Sequence, residues 1–263
     1  MGVMEKTPET ADGTVGKALH VLDMVAEKMR PVRFNDVLAD SPYPKATLYR
    51  LLQTLTNQGL LSYDEERQTY APGMRLVRLA HAAWRQSSLA PVARPFLDEL
   101  SAEVGETIHL AQLDRGQVLY VDKRNAAEPI EMFSQAGKVG PGYCTGVGKA
   151  MMAFLNDAAR EEAIKYQSFF RHTDQTLTTP DALRADLDNI RVEGVAFDRE
   201  EHEVGINCIA APILSTSGRV IGALSITTPI QKYDLSDLEA LRPSLLDTAN
   251  KIARAAENWQ FPS

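Results

Sequence analysis

The feature that most constrains this chain is a separation of residue types along residues 45–55, Lys-Ala-Thr-Leu-Tyr-Arg-Leu-Leu-Gln-Thr-Leu. Leu48, Leu51, Leu52 and Leu55 recur at helical spacing and make one apolar face. The opposite face offers Lys45, Thr47, Tyr49, Arg50, Gln53 and Thr54, which are donors, acceptors and one aromatic ring, with no carboxylate. From 41 to 63 the only charged residues are Lys45 and Arg50. The turn Asp40-Ser-Pro-Tyr-Pro44 precedes this helix, and Pro44 can open it because its missing N–H would be unpaired in the first turn anyway. An exposed, acid-free helix after a tight turn suits the major groove of double-stranded DNA, where phosphate would repel a carboxylate and base edges need donors and acceptors.

The flanking residues complete a small domain. Thr14 is a candidate N-cap for a helix that buries Val15, Ala18, Leu19, Leu22, Val25 and Ala26 and stops near Met29, ahead of Pro31. A second helix over 33–39 turns Phe34, Val37 and Leu38 inward. Gly59 caps the third helix, and strands over 60–63 and 68–71 enclose the polar turn Asp64-Glu65-Glu66-Arg67 as a wing. The expectation is a winged helix-turn-helix over 12–73 that binds operator DNA. The alternative is a three-helix bundle with a hairpin that binds protein.

Charge does not make this case. The chain carries a net −7, and residues 1–73 hold eight Lys/Arg against ten Asp/Glu. Local field matters more than net charge for a DNA contact, so global acidity predicts weak non-specific binding rather than none. No apolar run approaches the roughly 18 residues that would suggest a membrane span. The N-terminus has neither the apolar core of a secretory signal nor the acid-poor character of a transit peptide. A cytoplasmic protein with no membrane association is expected.

Residues 74–88 read as a linker helix with a broad apolar side, Leu76, Val77, Leu79, Ala80, Ala83 and Trp84, suited to a packed linker or a dimer seam. Over 89–258 a larger domain follows. It opens with a helix over 91–104 and a hairpin of 108–113 with 118–122 about Asp114-Arg-Gly-Gln117. A strand over 130–134 and a Gly/Pro-rich stretch over 137–142 come next, then helices over 149–155, 157–166 and 180–193. Strands over 208–214 and 220–228 precede a closing helix over 236–258. Strand pairs with flanking helices predict an α+β fold with an antiparallel sheet.

Several chemistries can be weighed from the residues. Gly146-Val-Gly-Lys149 is not a phosphate loop, since Tyr143 stands where glycine is required and Ala150 where a magnesium-binding hydroxyl is required. It suits a loop whose N–H groups, at a helix N-terminus, meet a carboxylate or carbonyl oxygen. Two cysteines, Cys144 and Cys208, are too few for a Cys-based zinc site. The competing reading is an enzyme that uses Cys144 or Cys208 with His109 or His202, or a Ser/His set. No Gly-x-Ser-x-Gly elbow and no His-Glu-x-x-His pair supports it, so no catalytic residue, metal or cofactor is expected.

Three blocks, taken in order, resemble signatures of the IclR family of bacterial regulators. They are Ala46-Thr-Leu-Tyr-Arg-Leu-Leu52, Cys144-Thr-Gly-Val-Gly-Lys-Ala150 and Glu200-Glu-His-Glu-Val-Gly-Ile-Asn-Cys-Ile-Ala-Ala-Pro-Ile213. The resemblance implies a winged helix-turn-helix, a linker helix and a GAF-like effector domain that binds small organic acids or aromatics. It also implies a homodimer or a dimer of dimers. It places Gly146 and Val147 against the effector, together with Met132, Asp198, Ile206, Cys208, Ser225 and Thr227. Strand alternation puts Ser225 and Thr227 on one face, Cys208 adds a polarizable wall, and Asp198 can accept from a ligand hydroxyl. The expected function is repression of a catabolic operon, relieved by a short hydroxy acid, semialdehyde or lactone.

Overall fold

The computed structural model describes residues 13–128, 132 and 134–257; for 85–87 it describes the backbone alone. The chain divides into two compact units that meet at Arg85 and Gln86.

In the first unit, α1 (Gly13–Glu27), β1 (Val32–Arg33), α2 (Phe34–Asp40) and α3 (Lys45–Asn57) precede the hairpin of β2 (Leu61–Asp64) and β3 (Thr69–Pro72). Helix α4 (Met74–Ser87) follows and runs into the second unit. The hairpin recruits β1 into a three-stranded antiparallel sheet, a two-residue strand too short to leave a periodic signal in the sequence. Leu48, Leu51, Leu52 and Leu55 of α3 are all buried, packed with Val37, Tyr43, Leu61 and Tyr70. The apolar stripe of α1 departs from the sequence reading. Val21, Leu22, Met24 and Val25 are buried, whereas Val15, Leu19 and Ala26 are exposed. Helix α1 packs on α3 and β3 along the stripe of Ala18, Val21, Leu22 and Val25, and Val15, Leu19 and Ala26 share a flank of that stripe at helical spacing, turned out of the core. Along α4, Leu76 and Trp84 are half-buried and Met74, Val77 and Leu79 are exposed.

The second unit opens with α5 (Ala90–Val104), β4 (Thr107–Asp114), β5 (Gln117–Arg124) and β6 (Val139–Pro141). Helices α6 (Gly146–Ala153), α7 (Asp157–Lys165) and α8 (Pro180–Glu193) come next. Strands β7 (Ala196–Arg199), β8 (Ile206–Leu214) and β9 (Val220–Pro229) precede α9 (Leu235–Ala240) and α10 (Arg242–Ala255). The strands form one antiparallel sheet in the order β6-β5-β4-β9-β8-β7. Helix α5 packs with α10 against this sheet, and α6 packs on it with α8. Ala111, Tyr120, Ala196, Ala210 and Ala223 give α6 a floor of mostly small residues, which lets this wholly buried helix lie close to the strands.

Three expectations are corrected here. Helix α6 begins at Gly146, three residues earlier than its sequence reading. The closing helix is broken at Leu241, because Pro243 cannot donate the N–H that would continue α9 into α10. The Gly/Pro-rich stretch contains an edge strand, β6. The strand expected over 130–134 lies largely outside the described residues.

Candidate functional site

The polar face of α3 stands in solvent. Lys45, Tyr49, Arg50, Gln53 and Thr54 are exposed and Thr47 is half-buried. Neither Lys45 nor Arg50 has an ion-pair partner among the described residues, so both charges are available to a ligand. Two of the six side chains are partly engaged already. The Thr54 hydroxyl donates to the Arg50 carbonyl at 2.8 Å, and Gln53 Nε2 donates to Asn57 Oδ1 at 3.3 Å. Tyr49 is steadied edge-on by Phe34, with ring centroids 6.2 Å apart. The wing tip differs in character. Asp64 Oδ1 accepts from the N–H groups of Glu66 and Arg67 at 3.0 Å, so one of its three carboxylates is tied into the turn.

The second unit contains a partly open cavity of about 30 Å3 beside the N-terminus of α6. It is lined by Met132, Gly146, Val147, Asp198, Ile206, Cys208, Ser225 and Thr227, all eight residues that the family resemblance brought forward. They come from α6, β7, β8, β9 and the segment after β5, and register explains their convergence. Cys208 lies opposite both Asp198 and Thr227, and His109 lies opposite Ser225. These side chains share the sheet face of Ala196, Ala210 and Ala223, which α6 covers. Gly146 is required by a close approach: a Cβ there would lie 2.4 Å from Cys208 Sγ. Thr145 donates its hydroxyl to the Pro141 carbonyl at 2.7 Å rather than capping α6. The first turn of α6 is therefore not capped by Thr145, and the Gly146 N–H meets the Cys208 sulfur at the edge of the cavity.

His109, Tyr120, Ser134, Thr145, His202 and Glu203 also line this space, and the sequence reading did not place them there. His109 is the hub. Its Nε2 lies 2.7 Å from Ser134 Oγ, and its Nδ1 lies 3.2 Å from Thr227 Oγ1 and 3.4 Å from Ser225 Oγ. Burial, aided by the nearby charge of Lys123, lowers its pKa to about 3, so the ring is neutral. The period-2 match of His109 with Ser225 and Thr227 was a signal available in the sequence, had the β4–β9 pairing been known. Tyr120 required more, because a register shift between Leu110 and Ala111 decides which β5 residues join His109.

Burial raises Asp198 to about 7, and the charge of Glu201 adds to the shift, while its Oδ1 accepts the Glu201 N–H at 2.7 Å. Lys149 is fully buried against Glu201 Oε1 at 2.5 Å and Asp186 Oδ2 at 2.8 Å, so its ammonium is not directed at a phosphate. Burial pushes Cys208 up to about 12 and raises Cys144 as well, which holds both thiols protonated and poorly nucleophilic. His109 faces hydroxyls on both nitrogens rather than an orienting carboxylate, an arrangement suited to binding. Among the described residues no group of His, Cys, Asp and Glu is arranged to hold a metal ion, and no helix is long and apolar enough to cross a membrane.

A winged helix-turn-helix with an acid-free exposed helix, joined to a second unit with a small polar cavity, defines a DNA-binding transcription regulator with a ligand-sensing domain. The sequence matches the IclR helix-turn-helix domain over residues 14–65 and the bacterial transcriptional regulator IclR C-terminal domain over 81–254. The chain belongs to the IclR family of bacterial transcriptional regulators. It is 31% identical over 242 residues to the HTH-type transcriptional regulator XynR of Escherichia coli, covering 92% of this chain and 96% of that protein. It is 28% identical to the transcriptional repressor IclR of E. coli, covering 91% and 88%. Among solved structures, an IclR homologue of Microbacterium hydrocarbonoxydans in complex with 4-hydroxybenzoate superposes with a TM-score of 0.75 at 26% identity, covering 92% and 99%. The Agrobacterium tumefaciens repressor BlcR gives 0.58 at 22% identity, covering 95% and 98%, a likeness that bears on the fold alone.

Proposed function

We propose that this regulator represses a catabolic operon and is released by a small organic effector. A homodimer, or a dimer of dimers, presents two copies of α3 to operator half-sites about one helical turn of DNA, or a multiple of it, apart. Lys45 and Arg50 supply the charge, and Thr47, Tyr49, Gln53 and Thr54 supply the remaining polar and aromatic contacts. The functional segments are a DNA-binding domain over 12–73, a linker helix over 74–88 and an effector domain over 89–258.

The effector reading is carried by one observation: eight residues spread between 132 and 227 line a single cavity that combines hydroxyls, a carboxyl, helix N–H groups and apolar walls. A space of about 30 Å3 favours a ligand of few atoms, such as a short hydroxy acid, semialdehyde or lactone. Met132, Val147 and Ile206 would contact its carbon frame, with Cys208 beside them. Ser225 and Thr227 would hold one polar end, and Gly146 with Asp198 the other. The 4-hydroxybenzoate complex of the Microbacterium homologue supports an organic acid in this fold. The effector can change DNA affinity only by as much as it prefers one arrangement of the protein over another.

The test is a thermal-shift screen of short hydroxy acids, semialdehydes, lactones and aromatic acids, repeated with promoter DNA. An effector should raise the melting temperature of the free protein and release the DNA. Ser225→Ala combined with Thr227→Val should blunt that release and leave operator affinity unchanged. A wild-type effector response in the double variant would remove the cavity from this role.

A further inference from the structure

The surroundings of α6 bury more negative than positive charge. Lys149 faces two carboxylates, Glu201 and Asp186, at ion-pair distance. Asp198 is a third acid, 7% exposed and lining the cavity, and it has no ion-pair partner among the described residues. The titratable groups around it come from every neighbouring element. Glu201, His202 and Glu203 follow it in the chain, Cys208 lies opposite on β8, and Tyr120 faces it from β5. Lys149 reaches toward it from α6 and Cys144 from the segment before, while His109 lines the cavity from β4. Lys123, with its ammonium 3.0 Å from the Ser134 carbonyl, lies near Glu203. Among the described residues no ammonium or guanidinium forms an ion pair with Asp198.

The N-terminus of α6, which Thr145 does not cap, opens on the same small cavity through Gly146 and Val147. An effector carboxylate held there would share it with the Asp198 carboxyl, and two carboxylates in one water-poor site cannot both stay ionised. We propose that the effector domain takes up its ligand as a small carboxylate together with one proton, which Asp198 carries as a carboxylic acid that donates to the bound anion. The proton comes from solvent and no bond other than this hydrogen bond forms. The inference rests on the cavity being the effector site, and it adds the charge class of the ligand and the residue that sets it.

Burial already places Asp198 near neutrality, at about 7. Below that pH the acid is protonated in advance and anion affinity is level. Above it each pH unit costs about tenfold in affinity, because the proton must first be recovered from solvent. An uncharged ligand with the same carbon frame has no such slope.

The experiment is calorimetry on the full chain with glycolate, the smallest hydroxy acid, and glycolamide, its uncharged amide. Titrations run from about pH 5.5 to about pH 8.5, each in two buffers of different ionisation enthalpy. The slope of heat against buffer enthalpy then gives the protons taken up. Glycolate should take up close to one proton at the alkaline end and almost none at the acid end; glycolamide should take up none throughout. Asp198→Asn keeps an oxygen for the Glu201 N–H and has the shape of the neutral acid. It should bind glycolate with level affinity and no uptake, while His202→Gln should retain the uptake. Glycolate binding without uptake at the alkaline end, or uptake that persists in Asp198→Asn, overturns the inference and leaves the cavity as the effector site. No glycolate binding by wild type or Asp198→Asn at any pH overturns both.

Discussion

The exposed face of α3 and the cavity under α6 solve opposite electrostatic problems. The face proposed to meet DNA needs charge that water and phosphate can reach, and it keeps Lys45 and Arg50 in solvent with no carboxylate on the same face. The cavity needs polar groups held away from water, and it answers with a neutral histidine, hydroxyls and a carboxyl whose ionisation is resisted. An acidic chain can therefore present an exposed helix face with positive charge alone, because its carboxylates are distributed elsewhere. The difference also separates the variants: changes on α3 should act on DNA affinity and its salt dependence, and changes in the cavity on ligand response and pH dependence.

The comparison can be broken most directly at Arg50. A bidentate Arg–base contact discriminates by about 1–3 kcal/mol, so Arg50→Ala should weaken operator binding by roughly 5- to 150-fold and leave effector binding intact. Fluorescence anisotropy on operator and scrambled DNA checks this, and operator affinity equal to wild type would mean that this face of α3 is not the reading face. Lys45→Ala should act more evenly across sequences and lower the salt slope of log affinity by about 1.

Within the cavity the counterpart is Gly146. A Cβ 2.4 Å from Cys208 Sγ would force α6 away from β8, at a cost in stability of about 1–3 kcal/mol for overpacking. Gly146→Ala should lower the melting temperature by several degrees and abolish effector-driven release, with operator affinity unchanged in the cold. Pairing it with Cys208→Ala, which removes the opposing sulfur, should restore part of both. No rescue would mean that the effect arises elsewhere.

The two regions also differ in how legible they were. The α3 face lies within eleven consecutive residues, so helical period alone separates Leu48, Leu51, Leu52 and Leu55 from the polar side. The cavity is built by pairings between distant segments: His109 meets Ser225 and Thr227 more than a hundred residues away. Nothing local marks that meeting. Motif resemblance brought Gly146, Cys208, Ser225 and Thr227 forward, but it missed the histidine they surround. Helix α1 shows a subtler failure. Its periodicity was genuine, yet Val15, Leu19 and Ala26 lie together on a flank of the stripe that the core leaves open, because periodicity shows that a helix has an apolar face without fixing which edge of it the core covers.

Titration sharpens the contrast further. His109 has its pKa lowered to about 3, so the unfolded chain takes up a proton near pH 6.5 that the folded chain refuses. Its contribution to stability is lost as pH falls below about 6.5. Asp198 acts in the opposite sense. Its folded pKa is raised to about 7, so stability is lost as pH rises from the ordinary carboxylate range through that value. In thermal melts, His109→Gln should flatten the fall between about pH 6.5 and 5, and Asp198→Asn the fall between about pH 4 and 7. If neither variant altered the pH profile, these two groups would titrate alike in the folded and unfolded chains.

The smallest effect is expected at Thr54, and it refines the proposed DNA face itself. Its hydroxyl proton is committed to the Arg50 carbonyl one turn back, which leaves the oxygen able only to accept. Thymine and guanine offer acceptors along the major groove, and such a hydroxyl cannot serve them without first giving up its bond within α3. Thr54→Ala should therefore change operator affinity by no more than about 0.5 kcal/mol, the range of surface changes that remove no buried partner. A loss as large as that of Arg50→Ala would mean that the hydroxyl swings onto DNA in the complex, and the reading surface would then extend a full turn beyond Arg50.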